Sequence, residues 1–175
     1  MNPAVVIETE RLLLRRFTPE DAEDNYRIYA DPENMRFMGS PPESVEAERD
    51  NIRRHIDGYY DRHGFGLWAV VLREDGRLVG RCGLLRQPLE GAQVVELSYL
   101  LDRHYWGRGL ATEAARAVVK LGFEKYGLPR VVAFIHPENA ASVRVALRVG
   151  MRHERDVDFR EFGRVALYAL DAPEG

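Results

Sequence analysis

The chain has 175 residues, 45% hydrophobic and 30% charged, with 25 Lys+Arg against 28 Asp+Glu and a formal net charge of -3. This is the composition of a globular chain, which excludes wholesale disorder, and its charge balance supplies no polycation to hold a phosphate backbone, which argues against a dedicated nucleic-acid binder. A single cysteine allows neither an intrachain disulfide nor a cysteine-based zinc knuckle.

No basic-then-apolar leader occupies Met1 to Glu10, and no run approaches the roughly 20 apolar residues of a membrane span. The expectation is a cytoplasmic protein with no membrane association. Repeats, low-complexity tracts and Ser/Gly linkers are absent, so residues 1–175 read as a single domain.

Leu12–Phe17 reads as a first strand. Thr18-Pro19-Glu20-Asp21 then starts a helix, with a capping threonine, proline at the first helical position and acids in the first turn. It should end near Asp31-Pro32. Ser44 caps a second helix running to about Asp61, with Val45, Ile52, Ile56 and Tyr59 on one face. Leu67–Leu72, Arg77–Leu85 and Val94–Leu101 are rich in β-branched and aromatic residues, and Asp75-Gly76 is a tight hairpin signal between the first two. Gly107–Tyr126 reads as a helix, with Leu110, Ala114, Val118 and Leu121 in register and Gly127 as its stop. Arg130–Ile135 is a short strand. Asn139–Val149 is a last helix, with Val143, Ala146 and Leu147 inward and Gly150 as its stop. Met151–Phe159 and Arg164–Leu170 close as a hairpin. The order β-α-α-β-β-β-α-β-α-β-β predicts a mixed sheet flanked by helices, in the α+β to α/β range.

The stretch richest in chemistry is His104-Tyr105-Trp106-Gly107-Arg108-Gly109-Leu110-Ala111-Thr112-Glu113. Two glycines stand between a strand and a helix whose first-turn amides are unpaired and at the positive end of the dipole, a ready site for a pyrophosphate. Glycine spacing alone equally describes a turn that binds nothing. A phosphate-binding loop of the Walker type needs Lys-Ser/Thr where Leu110-Ala111 stands. A dinucleotide fingerprint needs a third glycine or alanine, where this chain has Thr112, and an acid after the next strand, where it has His136-Pro137.

Three passages together resemble the GNAT superfamily of acetyl-CoA-dependent N-acetyltransferases. They are Glu8-Thr9-Glu10-Arg11-Leu12-Leu13-Leu14-Arg15-Arg16-Phe17; Glu96-Leu97-Ser98-Tyr99-Leu100-Leu101 with Tyr105 to Ala114; and Asn139-Ala140-Ala141-Ser142-Val143-Arg144 with Gly150-Met151. The nearest likeness is to the Rim-type branch, which includes enzymes acetylating ribosomal-protein N-termini, and it covers about residues 8–170. The family's loop is written Arg/Gln-x-x-Gly-x-Gly/Ala, and His104 departs from it at the first position.

The resemblance implies a mostly antiparallel twisted sheet with about four helices, splayed between the strands Val94–Leu101 and Arg130–Ile135. It implies that amides from Trp106, Gly107, Arg108, Gly109, Leu110, Ala111 and Thr112 hold the pyrophosphate of acetyl-CoA. It further implies that Leu100 and Leu101 offer backbone hydrogen bonds to the pantetheine arm as a form of strand addition, with Asn139 and Ser142 touching the arm from the last helix. No metal is implied. Tyr29, Met35, Phe37, Met38 and Trp68 are the expected acceptor-side residues.

Acetyl transfer to an amine requires a neutral amine, a placed thioester, oxyanion stabilisation and thiolate release. An α-amine with a pKa near 8 needs less help from a base than a lysine near 10.4. Glu96, where the family often has an acid, is the candidate base; its alternative is an exposed or ion-paired strand glutamate. The tyrosine that many superfamily members carry in the last helix is replaced here by Ala146, which leaves Ser142 as the candidate proton donor beside water. Cys82 reads as core, His136 as structural, Trp106 as a cofactor cover or a packed anchor, and Arg15-Arg16 and Arg53-Arg54 as solvated faces.

The expected function is direct transfer from acetyl-CoA to a primary amine, foremost a protein or peptide N-terminal α-amine. The alternatives are a small-molecule amine (antibiotic, polyamine or amino acid), a non-catalytic acetyl-CoA-binding module, or an interaction domain without the cofactor. A homodimer is compatible with the sequence.

Overall fold

The computed structural model describes residues 3–175. Its strands are β1 (Val5–Glu8), β2 (Leu12–Arg15), β3 (Leu67–Leu72), β4 (Leu78–Leu89), β5 (Ala92–Leu101), β6 (Arg130–Ile135), β7 (Arg152–Asp158) and β8 (Arg164–Asp171). They form one mixed sheet in the order β1-β2-β3-β4-β5-β6-β8-β7. Every neighbouring pair is antiparallel except β5–β6, which is parallel. The helices are α1 (Ala22–Ala30), α2 (Val45–His55), a single turn α3 (Asp61–His63), α4 (Leu110–Glu124) and α5 (Ala140–Val149). Among the described residues, no helix is long and apolar enough to cross a membrane.

The local signals act as expected at most boundaries. Thr18 caps a short 3-10 turn, Pro19–Asp21, that leads into α1. The Ser44 hydroxyl accepts from the Ala47 amide at 3.1 Å and starts α2. That helix is shorter than expected, because a π turn, Ile56–Tyr60, interrupts it before α3. Strand β1 lay outside the predicted pattern: Val5 to Glu8 is short and edge-placed, and it is held by pairing with β2. The β4–β5 hairpin closes on Glu90 and Gly91, both with positive φ, a two-residue turn of the primed kind. Arg15 is not a solvated residue, because its guanidinium makes a two-pronged pair with Asp21 at 2.7 and 2.8 Å.

Strand alternation sorts the core. Leu12, Leu14, Trp68, Val70, Cys82, Leu84 and Leu97 pack under α4 and α5. Ala69, Val71, Leu78 and Leu100 point to the other face, where Ala22, Ile28 and Ile52 of α1 and α2 cover them. Leu147, expected inward, is 55% exposed, whereas Ala146 is fully buried. Helix α5 is thus turned so that its small residue meets the sheet.

Between β5 and β6 the only register pair is Glu96↔Val132. Beyond Glu96 the two strands separate, which leaves one edge of β5 unpaired inside the sheet. This gap places the site.

Candidate active site

The glycine segment sits at the end of β5. Gly107 and Gly109 both have φ of +75°, and Gly109 is the N-cap of α4. The predicted helix therefore starts three residues later than expected, because those two left-handed residues form the loop itself. The first in-register helical bond runs from the Glu113 amide to the Gly109 carbonyl at 3.0 Å, and the amides of Gly107 to Thr112 have no partner among the described residues. The Trp106 amide, expected in the same row, is used internally by the Arg103 carbonyl at 3.1 Å.

A groove of about 610 Å³ opens over these amides. It is lined by Leu100, Leu101, Trp106, Gly107, Gly109, Leu110, Ala111, Thr112, Asn139 and Ser142, together with Phe37, Met38 and Tyr99. Arg108 is not in its wall: the guanidinium lies over the Tyr105 ring at 5.2 Å. His104 turns to Asp102, with Nδ1 at 2.7 Å from Oδ1.

The N-terminal passage has a structural reason. Glu113, one turn into α4, accepts from the Thr9 hydroxyl at 2.7 Å and from the Arg11 amide at 2.9 Å, and pairs with the Arg11 guanidinium at 2.7 Å. Arg11 Nη1 also donates to the Arg108 carbonyl at 2.8 Å. Burial opposes ionisation of Glu113, but these donors together hold its pKa below the ordinary carboxylate value. The turn between β1 and β2 thus clamps the glycine loop.

At the gap the backbone corrects one expectation. The Leu100 carbonyl points at Gly80 of β4, close enough that a Cβ on Gly80 would lie 2.1 Å from it. Backbone groups alternate sides along a strand, so those facing the gap belong to Tyr99 and Leu101 rather than Leu100. The Leu101 carbonyl is already taken by the Trp106 indole N–H at 2.9 Å, which makes Trp106 a packed anchor with a half-exposed ring.

Sequence reasoning passed over Tyr99. Its hydroxyl donates to the Ser142 carbonyl at 2.8 Å and lies 2.9 Å from Ser142 Oγ. Burial pushes the Tyr99 pKa well above its ordinary value. The hydroxyl pair sits at the N-terminal turn of α5, where Asn139 Oδ1 caps the Ser142 amide at 3.1 Å. Only the Asn139 Nδ2 hydrogens are left for a ligand. The signal that could have found Tyr99 was its place in the Glu96–Leu101 strand, two residues from the glycine segment's side of the gap.

Glu96 projects to the opposite face, paired across the ladder with Leu85. It accepts from the Gln87 amide at 2.7 Å. Burial raises its pKa, against the hydrogen bond from Gln87 and the charges of Arg81 and Arg160. It lines neither the groove nor the second cavity.

That second cavity, about 360 Å³, lies under α1 and α2 and includes Tyr29, Met35, Met38, His55, Leu67 and Arg81 in its wall. Met38 belongs to both cavities, so the segment after α1 divides them. Asn34 and Asp31 fix that segment: the Arg103 amide donates to Asn34 Oδ1 at 2.7 Å, and Arg103 Nε to Asp31 at 2.5 Å. Of the expected acceptor residues, Tyr29, Met35 and Met38 meet here. Phe37 instead lines the groove and stacks on His136 at 5.0 Å. Trp68 is not brought to either cavity. It is 1% exposed in the core beneath α4, because alternation along β3 sends it opposite to Leu67 and Ala69. Cys82 is fully buried with its thiol pushed up to about 12 by desolvation.

An open-edged strand beside a glycine loop and a helix N-terminus defines a fold class, and comparison with known proteins agrees with it. The family profile described as "Acetyltransferase (GNAT) domain" matches residues 11–152, and the chain belongs to that family. It is 32% identical over 152 residues to the uncharacterized N-acetyltransferase YoaA of Bacillus subtilis (strain 168), covering 85% of this chain and 84% of that one. It is 29% identical over 124 residues to the ribosomal-protein-serine acetyltransferase of Escherichia coli (strain K12), covering 69% and 67%. The fold is shared with RimL, a ribosomal L7/L12 α-N-protein acetyltransferase solved in complex with coenzyme A, with a TM-score of 0.81 at 17% identity, covering 97% and 98%. The chain is a GNAT-type N-acetyltransferase.

Proposed function

We propose that this protein transfers the acetyl group of acetyl-CoA directly to a primary α-amine, with a peptide N-terminus as the first acceptor class and a small amine as the second. The observation that carries the cosubstrate is the row of unpartnered amides from Gly107 to Thr112 at the N-terminus of α4, continuous with the unpaired edge of β5. A pyrophosphate fits the first and an amide-bearing arm the second. Likeness to the E. coli ribosomal-protein-serine enzyme supports the peptide acceptor. The second cavity, about 360 Å³, favours a small amine or the first one or two residues of a chain.

Acetyl-CoA supplies the acyl group as an activated thioester. Glu96, with a raised pKa and outside both cavity walls, draws the proton from the incoming ammonium through water rather than by direct contact. The gap-facing amides of Tyr99 and Leu101 are the oxyanion donors. As the tetrahedral intermediate collapses and its C–S bond breaks, the Tyr99 hydroxyl, backed by Ser142 Oγ, gives a proton to the leaving thiolate, and the proton lost from the acceptor nitrogen passes to water. Cys82, buried and with its thiol held near 12, offers no nucleophile for a covalent acyl-enzyme.

Calorimetric titration with acetyl-CoA, followed by mass-spectrometric detection of acetylated N-terminal peptides, tests the reading. Micromolar binding and a mass gain on the peptide α-amine are expected. Binding without transfer to any amine would replace it with an acetyl-CoA-binding module.

A further inference from the structure

The second cavity holds an arginine with no anion. Arg81 extends from β4 onto the face covered by α1 and α2, and its Nε is buried with no hydrogen-bond partner. Other arginines of the chain take carboxylates at contact distance: Arg15 with Asp21, Arg73 with Glu8, Arg103 with Asp31 and Arg155 with Glu90. Arg81 makes no ion pair among the described residues, and its guanidinium lies 5.7 Å from the Tyr29 ring centre. A buried guanidinium N–H without a partner is costly, and a ligand anion accepting from it would remove that cost.

The one buried carboxylate of the cavity wall does not serve. Glu48 is 4% exposed, and its two oxygens accept from Asn25 Nδ2 at 2.6 Å and Asn51 Nδ2 at 3.2 Å. Asn25 Oδ1 is left buried and unpartnered. His55 Nε2 accepts the Leu67 amide hydrogen at 2.8 Å, which makes Nδ1 the protonated nitrogen and a second donor with no protein partner. The cavity therefore combines a free guanidinium donor, an imidazole N–H and one amide acceptor in an apolar wall. Such a set matches a carboxylate with a neighbouring donor group. Position agrees: Arg81 pairs across the ladder with Leu100, and Met38 lines both its cavity and the groove.

We infer that the acceptor carries a carboxylate close to its reactive amine, and that Arg81 receives it. The inference rests on the acetyltransferase reading and narrows its substrate class. The carboxylate comes either from a free amino acid or from an acidic residue next to a peptide N-terminus.

Matched probes separate these sources. L-methionine and L-glutamate are compared with their carboxamides, and Ala-Glu-Ala-amide with Ala-Gln-Ala-amide. Binding to the full chain saturated with CoA is measured by calorimetry, and turnover is measured with acetyl-CoA. In at least one pair the carboxylate member should bind about tenfold or more tighter, and Arg81→Gln should abolish that difference while CoA affinity stays unchanged. Arg81→Lys, keeping the charge without the planar fork, should restore part of it. Equal affinity within every pair, no binding in any pair, or an equal loss for both members in Arg81→Gln would overturn the inference. Failure of the acetyltransferase reading shows separately, as absent acetyl-CoA binding or absent transfer to any amine.

Discussion

The two cavities on either side of Met38 are built from different materials. The groove proposed for the cosubstrate presents backbone groups, the unpartnered amides from Gly107 to Thr112 and the open edge of β5, within a wall that also carries side chains such as Phe37, Tyr99 and Arg144. The cavity proposed for the acceptor is built from side chains, with Asn25, Tyr29, Glu48, His55 and Arg81 converging from α1, α2 and β4. A backbone site tolerates most side-chain changes and fails when the chain cannot adopt its dihedrals. A side-chain site keeps its shape under many changes and loses its selectivity through single ones.

The largest expected effect is at Glu96, which lies in neither cavity wall. Glu96→Gln should lower kcat by about 100-fold, the lower range for a lost general base, with acetyl-CoA affinity unchanged. Its pH profile decides the role. Burial raises the Glu96 pKa, so the carboxyl holds its proton and cannot act as base until the pH rises past that value. The wild-type rate should climb through that limb, and the variant should lose the limb. A variant with the same limb would move the base elsewhere.

On the backbone side, Gly109→Val should weaken acetyl-CoA binding by about tenfold or more. A side chain at φ +75° costs about 1–2 kcal/mol, and 1.4 kcal/mol is a factor of ten. Calorimetry reads it directly, and an unchanged Kd would remove the loop from the binding site. Tyr99→Phe should reduce kcat about fivefold to tenfold while leaving that Kd intact, because the hydroxyl serves proton return rather than the cofactor grip. Equal losses in kcat and affinity would make Tyr99 a packing residue.

The smallest effect concerns stability on the side-chain face. Burial first, then the Arg81 charge, pull the His55 pKa from 6.5 to about 4. The unfolded chain thus binds a proton that the folded chain refuses between these values. Stability should fall as pH drops from about 6.5 to 4 and be unaffected by this group above that window. The loss is about 2 kcal/mol after allowing for partial exposure. His55→Gln, whose amide oxygen can still accept the Leu67 N–H, should flatten that slope in urea unfolding series at fixed pH values. An identical slope would place the acid sensitivity elsewhere.

The order of strands and helices was readable because periodicity, caps and turn residues act locally. Thr18, Ser44, Asn139 and Gly150 stop or start helices through bonds within a few residues. Strand β1 was not readable, since four edge residues carry no clear period and are held by β2. The glycine loop was legible for the same local reason: Gly107 and Gly109 are residues that accept positive φ. Only Trp106, whose amide bonds to Arg103, fell out of the expected row.

What the sequence alone determined was the family and the strand–loop–helix unit, because the motifs that carry them are short-range. What the tertiary structure decided was which side chains meet. It buried Trp68 under α4, faced Tyr99 rather than Leu100 to the gap, paired Tyr99 with Ser142 across 43 residues of chain, and left Arg81 without an anion beneath α1 and α2. Those outcomes depend on strand register, where a shift of one residue sends a side chain to the opposite face, and register is fixed by the packed sheet rather than by any one segment.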